Sequence, residues 1–237
     1  MPQPCDEMCD YVGRGLLKGK VALVIGGDSG IGRAVCVAFA KEGADVALAY
    51  LSEDADAEHT AGLVRNEHRR CLSLRGDLAI AAHCIDVVRR TIEELGQLDI
   101  VVNNVATQQS VDAPEDITDE KWLRTFDINV HSYFRVTKAA LPHLSKGSVI
   151  INTGSVNGLR GNKSFIEYSA SKGAVHVLTF SLAQALMDRG IRMNCVAPGP
   201  VWTPLIPSTM PAEKVESFGE QVPMGRAADP DEIAPSY

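Results

Sequence analysis

The sequence predicts an α/β domain built on a doubly wound parallel sheet, and three observations carry that expectation. Short β-branched runs alternate with amphipathic stretches from Lys20 onward. Several of those runs are almost continuously apolar, as strands are when helices cover both faces of a sheet. A glycine-rich turn follows the first run directly. The chain has 237 residues, 45% hydrophobic and 22% charged, which suffices for one self-supporting core. No repeat, linker or low-complexity tract divides it.

Strands are expected over Val21 to Ile25, Asp45 to Ala49, Cys71 to Arg75, Ile100 to Asn103, Ser148 to Thr153 and Arg192 to Ala197. Helices are expected between them. The first, Gly30 to Glu42, carries Ile31, Val35, Ala38 and Phe39 on one face. The others run over Ala55 to Arg69, Ile80 to Leu95, Thr118 to Leu144 (broken once) and Tyr168 to Arg189. Residues 1–19 are expected as a poorly ordered arm and 20–237 as the domain.

Composition excludes several functions. With 23 Lys and Arg against 30 Asp and Glu the net charge is −7, which disfavours a phosphate-backbone binder, so no nucleic-acid partner is expected. No apolar run approaches the roughly 20 residues that cross a bilayer. The opening Met1 to Asp10 lacks the basic start and apolar stretch of a signal peptide, so a cytoplasmic protein with no membrane partner is expected. The six cysteines are scattered as reduced core thiols would be. Cys5 and Cys9 alone are close together, and no metal site is expected.

A doubly wound sheet binds ligands beyond the carboxyl ends of its strands, so function should reside in the residues just after each strand. After the first comes Gly26-Gly27-Asp28-Ser29-Gly30-Ile31-Gly32 and then a helix. Glycines suit a tight turn whose backbone amides approach a pyrophosphate at a helix N-terminus. Further on, Tyr168-Ser-Ala-Ser-Lys172 places a phenol and an ammonium four residues apart on one helical face. A phenol with a reference pKa near 10 is a poor base at neutral pH, and a neighbouring cation makes its ionised form less costly. Ser155 lies thirteen residues before Tyr168, just past a strand.

The spacing Gly-x-x-x-Gly-x-Gly, with Asn103-Asn104-Val105-Ala106, Ser155 and Tyr168-x-x-x-Lys172 in this order, resembles the short-chain dehydrogenase/reductase family from about Leu17 to Tyr237. The resemblance implies a single Rossmann-like domain, here with six of the usual seven strands. It implies an NAD(P)-dependent oxidoreductase acting on CH–OH donors, transferring a hydride between nicotinamide and an alcohol or carbonyl substrate. Tyr168 would be the general acid/base, Ser155 would bond the substrate oxygen, Lys172 would lower the phenol's pKa and hold the nicotinamide ribose, and Asn129 would support a proton-relaying water. The cofactor would be held by Gly26, Asp28, Ser29, Gly30, Ile31, Gly32, Tyr50, Leu51, Asp77, Leu78, Asn104, Pro198, Gly199, Val201 and Thr203, with Tyr168 and Lys172. Val105 and Ala106 stand where the family has alanine and glycine, which would tighten the wall beside the nicotinamide. The segment Thr203 to Pro211 resembles a bacterial stress-related, glucose-dehydrogenase-like subgroup.

No Lys or Arg occurs between Lys41 and Arg65, whereas Glu53, Asp54, Asp56 and Glu58 do, so NAD is favoured, with NADP the other candidate. The substrate pocket is expected along Thr107 to Ser110, Val156 to Asn162 and Trp202 to Met210. The alternative reading is a catalytically weak cofactor-binding sensor or scaffold of the same fold. Near the C-terminus Asp229, Pro230 and Glu232 form a helix start, as N-cap, first and third positions. By resemblance the chain would continue into a seventh strand and a homo-oligomer, a tetramer if the C-terminus were complete. A truncated form is therefore expected, with Arg192 to Ala197 left as an edge strand.

Overall fold

Apolar β-branched runs bury their backbones by pairing in parallel, and six of them do so in a single sheet. The computed structural model describes residues 4–237. In chain order come β1 (Val21–Ile25), α1 (Gly30–Lys41), β2 (Asp45–Tyr50), α2 (Asp54–Asn66), β3 (Cys71–Arg75), α3 (Ala81–Leu95) and β4 (Ile100–Asn103). Then follow α4 (Asp119–Phe126), a π-helical turn (Asp127–His131), α5 (Ser132–Ala140), β5 (Val149–Thr153), α6 (Asn157–Arg160), α7 (Ile166–Ala185) and β6 (Arg192–Val196). The short α8 (Leu205–Thr209), α9 (Ala212–Glu216) and α10 (Pro230–Ile233) complete the set. Each expected strand is present to within one residue at either end.

The strand order is β3-β2-β1-β4-β5-β6, all parallel. β1 lies centrally, with Ile25 opposite Ala49 of β2 on one side and Asn103 of β4 on the other. Chain order reverses between β1 and β4, which opens a crevice at the carboxyl end of the sheet. Alternation along β1 divides the core in two. Ala22 and Val24 pack with α1 and α2, while Val21, Leu23 and Ile25 pack with α3 and α5. Each large side chain buried in these layers contributes roughly 1.5–3 kcal/mol of transfer free energy.

The expected helix over 118–144 is broken by the π-helical turn at Asp127–His131, which contains the fully buried Asn129. A π-turn inserts an extra residue and re-aims the side chains beyond it. α3 ends at Gly96, whose φ of +93° is left-handed and whose amide donates to the Ile92 carbonyl at 2.8 Å. At α10 the Asp229 amide donates to Glu232 Oε2 at 2.8 Å, the helix start expected from the sequence.

The arm differs from expectation. Residues 1–3 lie outside the described residues; from Pro4 the segment packs closely against the domain. Asp6 is 3% exposed, and its carboxylate accepts from the Gly30 amide at 3.0 Å and from Arg33 Nη1 at 3.2 Å. Met8 is buried against α1, and its amide donates to the Asp231 carboxylate at 3.0 Å. Glu42, just past α1, accepts from the Tyr11 hydroxyl at 2.5 Å and the amides of Arg14 at 3.0 Å and Leu16 at 2.8 Å. Burial alone would raise its carboxyl pKa, but these donors outweigh it and hold the pKa below the usual value. Contacts between 24 and 223 residues apart in sequence leave no local pattern, which is why the arm reads as loose.

Glu42→Ala removes the acceptor of all three donors. Unfolding in urea should show a loss of roughly 2–4 kcal/mol; a loss under about 0.5 kcal/mol, the scale of an ordinary surface change, would mean that Glu42 does not anchor the arm.

Candidate active site at the crossover

The carboxyl ends of β1, β4 and β5 frame a cleft of about 950 Å³. Its first wall is the glycine loop. A Cβ on Gly32 would fall 1.8 Å from the Gly26 carbonyl oxygen, so only glycine lets the loop turn back on itself there. Gly30 has a φ of +53°, and a Cβ on it would come within 3.0 Å of Thr203. The loop and the segment after β6 thus close on one another. Ser29 makes no side-chain cap to α1, the Asp6 carboxylate takes the Gly30 amide from behind at 3.0 Å, and no carbonyl accepts from the Ile31 or Gly32 amide among the described residues. Such a helix start suits a pyrophosphate, and these residues fit a dinucleotide.

The cleft is lined by Gly26, Asp28, Ser29, Gly30, Ile31, Tyr50, Leu51, Asp77, Leu78, Asn104, Ser155, Tyr168, Lys172, Pro198, Gly199, Val201 and Thr203. Two residues expected at the site lie behind its wall. Gly32 is buried under the loop, and Asn129 is covered by the segment after β4. Asn129 pairs with both backbone groups of Thr107, accepting from its amide at 2.8 Å and donating to its carbonyl at 2.9 Å, and it donates to Ser171 Oγ at 3.0 Å. It therefore links the β4 loop to α7.

One end of the cleft is acidic. Asp28, Glu53, Asp56 and Asp77 line it. Burial raises the pKa of Asp28, with Ser29 and the backbone opposing. Burial also acts on Asp77, but the Arg124 guanidinium at 2.9 Å and the Ala79 amide outweigh it, and its pKa is lowered. Tyr50 donates to Asp54 at 2.8 Å, and Arg75 pairs with that same carboxylate at 3.0 Å.

At the centre, Ser155 follows β5 directly. It is buried, its Oγ accepts from the Asn157 amide at 3.1 Å, and it lies beside the Tyr168 phenol, acting to lower that phenol's pKa. His176 of α7 supports it from behind, with Nε2 3.0 Å from the Ser155 carbonyl. One turn beyond Tyr168, Lys172 is 1% exposed. Its Nζ donates to the Thr153 carbonyl at 2.7 Å and to the Tyr133 hydroxyl at 3.3 Å, and lies 5.7 Å from the Tyr168 ring centroid. Burial lowers the ammonium's pKa to about 7, with Cys195 opposing weakly. Burial raises the pKa of the Tyr168 phenol, with the Ser155 side chain opposing. The resemblance implies a phenol pKa lowered by Lys172. Here the ammonium is directed at a backbone carbonyl instead, and desolvation of the ring dominates.

Two tyrosines at this centre were not singled out from the sequence. Tyr133, fully buried, bonds the Val105 carbonyl at 2.9 Å and accepts from Lys172. Its spacing of four from Asn129 is the signal that could have marked it. Tyr237 approaches Thr153 Oγ1 at 2.6 Å, a contact across 84 residues with no sequence signature.

A family model for short chain dehydrogenases matches residues 20–214. General stress protein 39 of Bacillus subtilis is 51% identical over 236 residues, covering 100% of this chain and 82% of the relative. NADPH-dependent aldehyde reductase 1, chloroplastic, of Arabidopsis thaliana is 44% identical over 234 residues, covering 96% of this chain and 81% of the relative. A short chain dehydrogenase from Burkholderia cenocepacia, solved in complex with NADP, superimposes with a TM-score of 0.87 at 31% identity, covering 93% of this chain and 89% of that one. Fold, cleft and relatives agree: the chain belongs to the short-chain dehydrogenase/reductase family and is an NAD(P)-dependent oxidoreductase.

Proposed function

We propose that the chain transfers a hydride between a nicotinamide and an alcohol or carbonyl substrate, with Tyr168 exchanging the accompanying proton with the substrate oxygen. The observation that carries this reading is the Tyr168 phenol at the cleft wall together with Ser155, with Lys172 buried behind it. The nicotinamide, when bound, donates or accepts the hydride. Gly26, Asp28 to Ile31 and Asn104 would hold its dinucleotide at one side, and Pro198, Gly199, Val201 and Thr203 at the other. Ser155 has a hydroxyl to offer the substrate oxygen and so orients it toward the phenol. A phenol pKa raised by burial keeps the proton on Tyr168 at neutral pH, as a donor to a developing alkoxide requires. Lys172, with its pKa near 7, is able to pass a proton in either direction close by. Asn129 holds the β4 loop and α7 in register, which fixes the wall in front of Tyr168.

Tyr168→Phe removes the proton and leaves the packing. Steady-state assays with a carbonyl panel should show kcat reduced roughly 100- to 10,000-fold, with cofactor affinity by fluorescence titration nearly unchanged. A variant keeping more than about a tenth of the wild-type rate would remove Tyr168 from the proton-transfer step.

NAD is the preferred cofactor in this reading. The end of the cleft that would take the adenosine carries Asp28, Glu53 and Asp56, and the cations nearby are already paired. Arg33 is bound to Asp6 and Asp56, Arg75 to Asp54 and Arg124 to Asp77. A ribose 2′-phosphate would meet repulsion, whereas a 2′-hydroxyl would find acceptors. On this point the chain would differ from the Arabidopsis relative, which is named for NADPH. Leu51 is 49% exposed at the same place, so Leu51→Arg supplies the missing cation. The ratio of kcat/KM for NADH over NADPH should exceed one and fall about tenfold or more in Leu51→Arg. A wild type that prefers NADPH would contradict the charge argument.

A further inference from the structure

The carboxylates lining the cleft are confined to one end, where the cation Arg124 is paired with Asp77. The carboxylates Asp28, Glu53, Asp56 and Asp77 all lie toward the glycine loop and the ends of β2 and β3. Beyond Ser155 and Tyr168 the wall is built from the β4 loop, α6 and the segment from Thr203 to Val222. Among the described residues lining that part, Arg160 and Lys214 are charged and neither Asp, Glu nor His occurs. Glu213, Glu216 and Glu220 belong to the same segment as Lys214 but do not line the cleft. A chain with a net charge of −7 thus presents cations where its substrate would enter.

Arg160 is held in register with the reacting centre. It ends α6, which begins two residues after Ser155 with the Asn157 amide bonded to Ser155 Oγ at 3.1 Å. At Gly158 an added Cβ would come within 2.6 Å of the Lys172 backbone, so α6 lies directly on α7 beside the Tyr168–Lys172 turn. Among the described residues the Arg160 guanidinium has no hydrogen-bond or ion-pair partner, which leaves its planar fork of donors unclaimed there. Lys214 reaches across from α9, with Nζ 3.3 Å from Ser110 Oγ in the β4 loop. In the same lining the buried Gln108 donates to Thr209 Oγ1 at 2.9 Å and so ties the β4 loop to α8.

Building on the hydride-transfer reading above, we propose that the substrate is an anionic carbonyl compound, or the corresponding alcohol, whose carboxylate or phosphate is held by Arg160 and Lys214 while its carbonyl oxygen lies against Ser155 and Tyr168. The anion sets orientation, because a guanidinium grips two oxygens of a carboxylate or phosphate at once. An uncharged aldehyde of the same shape would lack that grip.

Two matched pairs test this: 4-oxobutanoate against its methyl ester for a carboxylate, and glyceraldehyde 3-phosphate against glyceraldehyde for a phosphate. The charged member of at least one pair should be favoured about tenfold or more in kcat/KM, an advantage that shrinks as salt is added. Arg160→Gln and Lys214→Gln should each reduce that preference several-fold, with Arg160→Lys keeping more of it than Arg160→Gln. Equal or better turnover of the neutral members in both pairs, or a preference untouched by both glutamine variants, overturns the proposal. Calorimetric binding of succinate against succinamide, and of glycerol 3-phosphate against glycerol, reads the same site without turnover. Anion binding that depends on Arg160 in a protein that reduces no carbonyl would support the anion site and overturn the hydride-transfer reading. Tyr168-dependent reduction with no anion preference would do the reverse.

Discussion

A lysine ammonium buried at the mouth of a parallel sheet is the constraint around which this site is arranged. Lys172 is 1% exposed and has two acceptors, the Thr153 carbonyl and the Tyr133 hydroxyl. An unpaired buried cation costs several kcal/mol, and the protein meets that cost by making the charge easy to lose, with a pKa near 7. Both acceptors depend on the fold. Thr153 is the last residue of β5, so its carbonyl is directed into the crevice, and Tyr133 is placed by α5 immediately after the π-turn. The groups that meet the substrate, Tyr168 and Ser155, surround this centre.

The same crossover that opens the crevice separates its two tasks. The β1 side supplies a glycine loop and a helix start whose Ile31 and Gly32 amides no carbonyl accepts from among the described residues, suited to the phosphates of a dinucleotide, with carboxylates beyond it for hydroxyls. The β5 side supplies the proton-handling groups and, past them, two cations. Asn129 and the π-turn connect the sides by fixing Thr107 to α7. The arm adds a third tie: Asp6 bonds the Gly30 amide of the glycine loop, and the Asp231 carboxylate accepts from the Met8 amide two residues further along the arm.

Much of this was legible in the sequence, for reasons that differ by residue. The strands were readable because a fully buried parallel strand has to be continuously apolar, as Val21–Ile25 is. The glycine loop was readable because close approach of Gly32 to the Gly26 carbonyl admits no other residue. The clustering of Ser155, Tyr168 and Lys172 followed from chain order and helical spacing. What spacing does not encode is depth. Whether Lys172 lowers the phenol's pKa or has its own pKa lowered is set by burial, and burial comes from Tyr133, Thr153 and α6 together. The arm was misjudged for a related reason, since Asp6 finds Arg33 and Gly30 only through tertiary packing.

The most direct test of the account is the titration of Lys172 itself. In the protein with 15N-labelled lysine, the Nζ resonance that disappears in Lys172→Met would be followed from about pH 5 to about pH 10. A midpoint near 7 is the result the account predicts. A midpoint at the ordinary lysine value of about 10.4 would contradict it, because the ammonium would then be stably charged and the site would be organised around a permanent cation.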